Sequence, residues 1–330
     1  MRIHLQNPPG DHDFIITPGQ WAAACARHPD LVGLDASFSE DSADLAPALR
    51  VAEVLVTRPK VIHQRFAPGA LAAAAPRLRA IFCASAGLDR LAPYDWLPAG
   101  VDLLNNSGTH AAKAGEFALM GLLMLANHVP VFAHAHQQGR WVKRFGALLA
   151  GRTVCVIGLG SLGGAAAGHA KARGMRVLGV RTTPAPHADC DAVFATADLD
   201  TALAQSEFLV IACPLTAATR GLVDRRRLSL LPRGAKVLNI ARGAVWDQDA
   251  ACDLLDSGHL HGCITDVPLP EPLPPEHRLW RTSGMFVTPH MSAEDIATHN
   301  DLTLDILFAN LRALRDGRAL PNRVDPARGY

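Results

Sequence analysis

The first hundred residues alternate short apolar runs with stretches of helical spacing. Residues 3–6, 54–57 and 80–83 read as strands. Residues 18–28, 41–50 and 68–75 read as helices, several of them opened by Pro or Asp in the first turn. That alternation predicts a parallel sheet with helices on both faces. A long helical pattern follows from Ala111 to about His136, and Gly151 opens a second series of the same kind. Its predicted strands are 153–157, 176–180, 208–212, 236–239, 262–266 and 285–288, with helical patterns between them. The last pattern runs from Ala293 to about Asp316 and stops at Gly317, a residue suited to a helix C-terminus. Two α/β domains are expected.

The length of 330 residues agrees with two domains of ordinary size. Apolar residues make up 49% and charged residues 19%, which excludes disordered and collagen-like classes. The formal net charge of +1 gives no electrostatic reason to expect nucleic acid or an anionic membrane as partner. Residues 1–6 lack the apolar core of a signal peptide. The longest apolar run, 117–126, is about half of what a membrane-spanning helix needs. The seven cysteines are scattered and form no Cys-x-x-Cys pair, so reduced core thiols are expected rather than disulfides or a metal site. A cytoplasmic protein is the reading that follows.

The run Thr153-Val154-Cys155-Val156-Ile157 leads into Gly158-Leu159-Gly160-Ser161-Leu162-Gly163 and then a helical pattern through Ala172. One glycine makes the tight turn, one lets the backbone approach a pyrophosphate, and one lets helix and strand pack closely. The helix N-terminus offers free N–H groups to the phosphates. A glycine-rich turn alone is a weak signal; between a strand and a helix, inside a βαβ unit, it points to a dinucleotide. After the next strand an NAD enzyme usually carries Asp or Glu for the adenosine ribose. Here stand Arg181, Thr182 and Thr183, which suit a ribose 2′-phosphate. NADP is favoured, with NAD left open, since Arg181 in this Arg-rich chain also reads as a solvated surface residue.

Three further segments each end a predicted strand with polar residues: 239–243 with Arg242, 265–272 with Asp266 and Glu271, and 288–292 with His290. In an open α/β sheet, ligands bind beyond the carboxyl ends of the strands, where such segments converge. Arginine grips a carboxylate bidentately, histidine exchanges a proton near neutral pH, and a carboxylate orients that histidine. Taken one at a time, His290 reads more readily as a structural histidine, Glu271 as a solvated loop residue and Arg242 as a surface salt-bridge partner.

Together with their surroundings these segments resemble the D-isomer-specific 2-hydroxyacid dehydrogenase family, in its glyoxylate/hydroxypyruvate reductase-like branch. The likeness spans about Gly87 to Asn322 and rests on VCVIGLGSLGG, CPLTAATRGLVD, LPRGAKVLNIARGAVWDQDA, LLDSGHLHGCITDVPLPEPLP and VTPH. It implies Arg242, Glu271 and His290 as the catalytic set; Glu271 stands five residues after Asp266, as in the family's DVF..EPLP pattern. Pro268 departs from that pattern, where an aromatic residue is usual. The resemblance also implies two doubly wound parallel-sheet domains, with a Rossmann cofactor domain (105–293) inserted in a flavodoxin-like substrate domain (1–104 and 294–330). It places Cys213, Pro214, Thr219 and Ala241 along the cofactor, with Asp266 at the nicotinamide carboxamide. It places Ser85, Ala86 and Gly87 with Arg242 and His290 around the substrate. Reduction of a 2-keto acid to the D-2-hydroxy acid would then pair hydride delivery with a proton from His290. Glu271 would hold the imidazolium and Arg242 the substrate carboxylate.

Arg58, His110 and Lys113 are weaker candidates for substrate contact. Trp141 matches a position that in some relatives reaches the neighbouring subunit, and relatives dimerise through this region, so a two-fold homodimer is expected. Two other readings stay open. A formate dehydrogenase would call for glutamine where this chain has Glu271. A dinucleotide-sensing corepressor would carry a long tail beyond the last helix.

Overall fold

Strands β1 (Arg2–Gln6), β2 (Asp35–Ser39), β3 (Val54–Thr57), β4 (Ala80–Cys83) and β5 (Asp102–Leu104) form one sheet in the order β2-β1-β3-β4-β5. Their pairings are parallel. Every residue of β3 and β4 is buried, which is why both appear in the sequence as unbroken apolar runs. The edge strand β2, Asp-Ala-Ser-Phe-Ser, is half exposed and offers no such run, so the apolar pattern missed it. The three-residue β5 escaped it as well.

This computed structural model describes residues 1–10, 14–41 and 43–330. The chain divides into two compact units, 1–110 with 295–330, and 111–294. In the first unit, α1 (Pro18–Arg27) is opened by a capping box in which Thr17 and Gln20 satisfy each other's backbone N–H. The short helices α2 (Leu45–Leu49), α3 (Pro59–Arg65) and α4 (Ala70–Ala74) follow. The helices expected over 41–50 and 68–75 are thus trimmed; Ser42 of the former lies outside the described residues.

The second unit opens with α5 (Ala111–Ala126) and α6 (Val129–Gln137). The single helix expected over 111–136 is in fact these two, bent by 70°. Pro130 sits in the first turn of α6, where it lacks an N–H and its ring crowds the preceding turn, and His128 takes a left-handed φ of 56°. No single helix among the described residues is long and apolar enough to cross a membrane.

Next come β6 (Thr153–Ile157), α7 (Ser161–Ala172), β7 (Arg176–Arg181), β8 (Ala192–Ala195), α8 (Leu199–Leu203), β9 (Phe208–Ile211) and α9 (Arg225–Leu230). They are followed by β10 (Ala235–Asn239), α10 (Gln248–Asp256), β11 (Leu260–Thr265) and β12 (Met285–Val287). The seven strands lie parallel in the order β12-β11-β10-β9-β6-β7-β8. Strand order reverses between β6 and β9, which opens a crevice at their carboxyl ends. This is the Rossmann arrangement, and the first unit has the flavodoxin-like order. The last helix, α11 (Ile296–Arg315), returns to the first unit. There Leu304, Leu307, Phe308 and Leu311 share a core with Ile3, Leu5, Val54, Val56 and Phe82.

All seven cysteines are free thiols. Burial pushes Cys83 up to about 12 and Cys213 to about 11, and raises Cys155 and Cys263 in the same direction. They stay protonated at neutral pH and act as small core residues.

Candidate active site

The turn after β6 is built around its glycines. Gly158 has φ 90°, and a Cβ there would lie 2.7 Å from the Cys213 Cα, so this turn presses against the end of β9. A Cβ on Gly163 would meet the Gly158 carbonyl oxygen at 1.8 Å, which only glycine avoids. Gly160 differs, since a Cβ there would meet nothing within 4 Å. No contact within the chain demands this glycine, and the open space lies at the N-terminus of α7, where Gly160 is the cap residue and no side chain caps the first turn. Open space at a helix N-terminus fits a pyrophosphate.

Arg181 is the last residue of β7 and half buried. Its guanidinium makes no ion pair or hydrogen bond among the described residues, and Thr182 and Thr183 beside it are exposed. Across the crevice, Thr219 fixes the loop after β9. Its hydroxyl donates to the Pro214 carbonyl at 2.6 Å and accepts from the Thr216 N–H at 2.8 Å. Cys213 and Pro214 therefore stand on a braced loop beside Gly158.

Arg242, Glu271 and His290 follow three adjacent strands, β10, β11 and β12. The Asn239 side chain, fully buried, fixes the turn before Arg242: its oxygen accepts from the Ala241 N–H at 2.9 Å and its amide donates to the Arg242 carbonyl at 3.1 Å. Arg242 Nη1 donates to the Ala241 carbonyl at 2.8 Å. A Cβ on Gly243 would lie 2.7 Å from the Val267 carbonyl oxygen, so the Arg242 turn packs directly against the loop that leads to Glu271. Gln248, from the first turn of α10, grips that loop by bonding both the N–H and the carbonyl of Leu269. Pro268 is buried within it.

Glu271 and His290, nineteen residues apart, are brought into contact. His290 Nδ1 lies 3.1 Å from Glu271 Oε1 and 3.2 Å from Oε2. A carboxylate at Nδ1 fixes the tautomer that carries the proton there and leaves Nε2 for other partners. The His290 side chain is 44% exposed and that of Glu271 22%, so the pair faces solvent from the imidazole side. His290 has φ 53°, a left-handed conformation costly for a residue with a Cβ. Asp266 is fully buried, and its carboxylate is enclosed by the turn that carries His290.

Ser85, Ala86 and Gly87 belong to the first unit, at the carboxyl end of β4. Asn105 donates to the Ala86 carbonyl at 3.3 Å and the Asn106 N–H to the Ser85 carbonyl at 3.0 Å. Arg58 follows β3 with its guanidinium 4.6 Å from the centre of the Phe14 ring, and His110 lies against the His299 ring at 5.4 Å. Lys113 is half buried on α5, and Trp141 is 97% exposed after α6. No sequence pattern marks Asn239 or Gln248 as a site residue. Their importance lies in loop hydrogen bonds that no local pattern announces.

A family model described as the D-isomer specific 2-hydroxyacid dehydrogenase NAD binding domain matches residues 119–292. Glyoxylate/hydroxypyruvate reductase B of Pectobacterium carotovorum is 30% identical over 307 residues, covering 91% of this chain and 92% of that protein. A D-isomer specific 2-hydroxyacid dehydrogenase from Xanthobacter autotrophicus Py2, solved in complex with NADPH and MES, is 31% identical with a TM-score of 0.82 and 99% coverage of both chains. The NADPH-dependent glyoxylate/hydroxypyruvate reductase of Sinorhizobium meliloti, in complex with NADP and sulfate, gives a TM-score of 0.79 at 26% identity, covering 100% of this chain and 99% of that one. The chain belongs to the D-isomer-specific 2-hydroxyacid dehydrogenases, nicotinamide-dependent oxidoreductases of the CH–OH group that act on small 2-keto and 2-hydroxy acids.

Proposed function

We propose that this protein reduces a small 2-keto acid of the glyoxylate or hydroxypyruvate type to the 2-hydroxy acid, with NADP(H) as the preferred cofactor. The observation that carries the reading is the His290–Glu271 pair at 3.1 Å beside the Arg242 turn on adjacent strand ends. When bound, the dinucleotide supplies the hydride. Its pyrophosphate would rest on Gly158–Gly163 and the first turn of α7, with Cys213, Pro214, Thr219 and Ala241 lining the crevice. His290 Nε2 would give a proton to the oxygen of the reduced carbonyl, while Glu271 stabilises the imidazolium through Nδ1. Arg242 would bind the substrate carboxylate with its planar fork and polarise the carbonyl.

A panel of 2-keto acids, including glyoxylate and hydroxypyruvate, assayed with NADPH and NADH tests this. We expect turnover of at least one member with NADPH. Oxidation of neither cofactor by any member would count against the reading.

We further infer a two-fold homodimer working in the cytoplasm, where seven free thiols stay reduced. The segment after α6 has no regular structure and exposes Trp141, Phe145 and Leu148 by 97%, 83% and 82%. Side chains of this size crowded on one segment mark an interaction surface, and a second copy is the commonest partner. Light scattering at micromolar concentration should report twice 35.1 kDa; a monomer would overturn the dimer.

A further inference from the structure

The edge of the seven-stranded sheet opposite the crevice gathers basic side chains. We propose that this edge carries an anion site, in which His128, Lys236 and His261, with Arg144 and Arg233 at the rim, bind a doubly charged oxyanion of the sulfate or phosphate type. The proposal does not rest on the reaction proposed above.

Lys236 and His261 are the second residues of the adjacent strands β10 and β11, so both stand at the amino-terminal edge. The Gly234 turn draws them together. Lys236 Nζ donates to the Gly234 carbonyl at 3.0 Å, and a Cβ on Gly234 would lie 3.4 Å from the His261 ring. Arg233 precedes that glycine. The His128 ring, at the corner between α5 and α6, stands 6.2 Å from the His261 ring. Arg144 belongs to a segment that packs on the same corner. There the Ala147 N–H donates to the Ala126 carbonyl at 3.1 Å, and a Cβ on Gly146 would lie 2.5 Å from Asn127 Oδ1. His128, Lys236 and His261 are half buried, while Arg144 and Arg233 are exposed.

Two facing imidazoles would by themselves also suit a metal ion. The surrounding charge decides against one. Burial, Lys236, Arg144 and the neighbouring His261 hold His128 below the ordinary histidine range. Burial, Lys236, Arg144 and Arg233 do the same to His261. Burial likewise lowers Lys236, whose acidic neighbour Glu207 is already engaged by Arg152 at 2.6 Å. A cation entering this cluster would be repelled by Lys236, Arg144 and Arg233. An oxyanion would instead relieve the repulsion among them and accept hydrogen bonds from ammonium, guanidinium and imidazolium groups. It would also raise both imidazoles, so that binding takes up protons. Affinity should therefore rise as pH falls through the bound-state values and level off below the free-state ones.

The probe is sulfate, whose charge is constant between about pH 6 and about pH 8, titrated into the full chain against chloride at fixed ionic strength. The imidazole resonances of His128 and His261, identified through His128→Gln and His261→Gln, report binding at this edge separately from any at the dinucleotide turn. We expect both to shift saturably, with affinity roughly tenfold tighter at the lower pH; one imidazole raised by about one unit supplies up to that much. Lys236→Gln should weaken binding roughly tenfold, as expected for loss of a charge-assisted hydrogen bond. Arg144→Gln, an exposed change that carries the test if Lys236→Gln fails to fold, should weaken it several-fold. Resonances that stay still, or drift without saturating, overturn the proposal. So does an affinity independent of pH, or one unchanged in every variant that folds. If zinc moves both imidazoles and sulfate moves neither, the pair is a metal site and the anion site is overturned.

Discussion

His290→Ala should lower kcat by about 10²–10⁴, the range that a positioned general acid contributes. At about 1.4 kcal/mol per decade this is roughly 3–6 kcal/mol of transition-state stabilisation. The size follows from geometry. Nδ1 is engaged by both oxygens of Glu271, so the ring has one orientation and one nitrogen left for substrate. Among the described residues, no other imidazole stands directly after β10, β11 or β12 to replace it. The side chain is 44% exposed, so truncation leaves no core cavity, and the melting temperature should move little. NADPH affinity should also be close to that of the unmodified protein, because the residues proposed to hold the dinucleotide phosphates follow β6 and end β7, away from the end of β12. Full turnover in the variant would remove His290 from the mechanism.

The second large effect concerns cofactor choice. We expect kcat/KM for NADPH to exceed that for NADH by roughly ten- to a thousandfold, and Arg181→Asp to reverse or abolish the preference. An NAD site places a carboxylate at the end of the second strand, where it takes the ribose hydroxyls and repels a 2′-phosphate. Here β7 ends in Arg181, whose guanidinium has no ion pair or hydrogen bond among the described residues. Relief of repulsion and a charge-assisted bond contribute on the order of 1–3 kcal/mol each. Partial exposure favours the lower end of that range, which still amounts to a decade or more. Thr182 and Thr183 can donate to the same phosphate. Equal kcat/KM for the two cofactors in the unmodified protein would decide for another arrangement, with Arg181 stacked on the adenine and the 2′ position unread.

Much of this was legible in the chain because it depends on short-range constraints. The buried parallel strands show as apolar runs, since a strand covered on both faces has no polar side to alternate. The turn 158–163 shows because its geometry excludes every side chain at Gly158 and Gly163. The identities of Arg242, Glu271 and His290 were likewise readable, though their meaning came from resemblance more than from pattern. Edge strands such as β2 and β8 were not readable, because half-exposed residues carry little burial signal. Nor was the break at His128, where the apolar periodicity continues across a change of direction.

What the tertiary structure decided is which distant residues meet. Parallel pairing in the order β12-β11-β10 sets the carboxyl ends of three strands side by side, and so brings His290 to Glu271. Long-range hydrogen bonds then decided the work of the polar residues around them. Asn239 and Gln248 read in the sequence as ordinary turn or loop residues, because what makes them matter is a partner on another segment. The sequence by itself determined the elements, the dinucleotide turn and the chemical groups on hand. The fold alone determined their register, since burial and backbone pairing across separate strands leave no trace in local spacing.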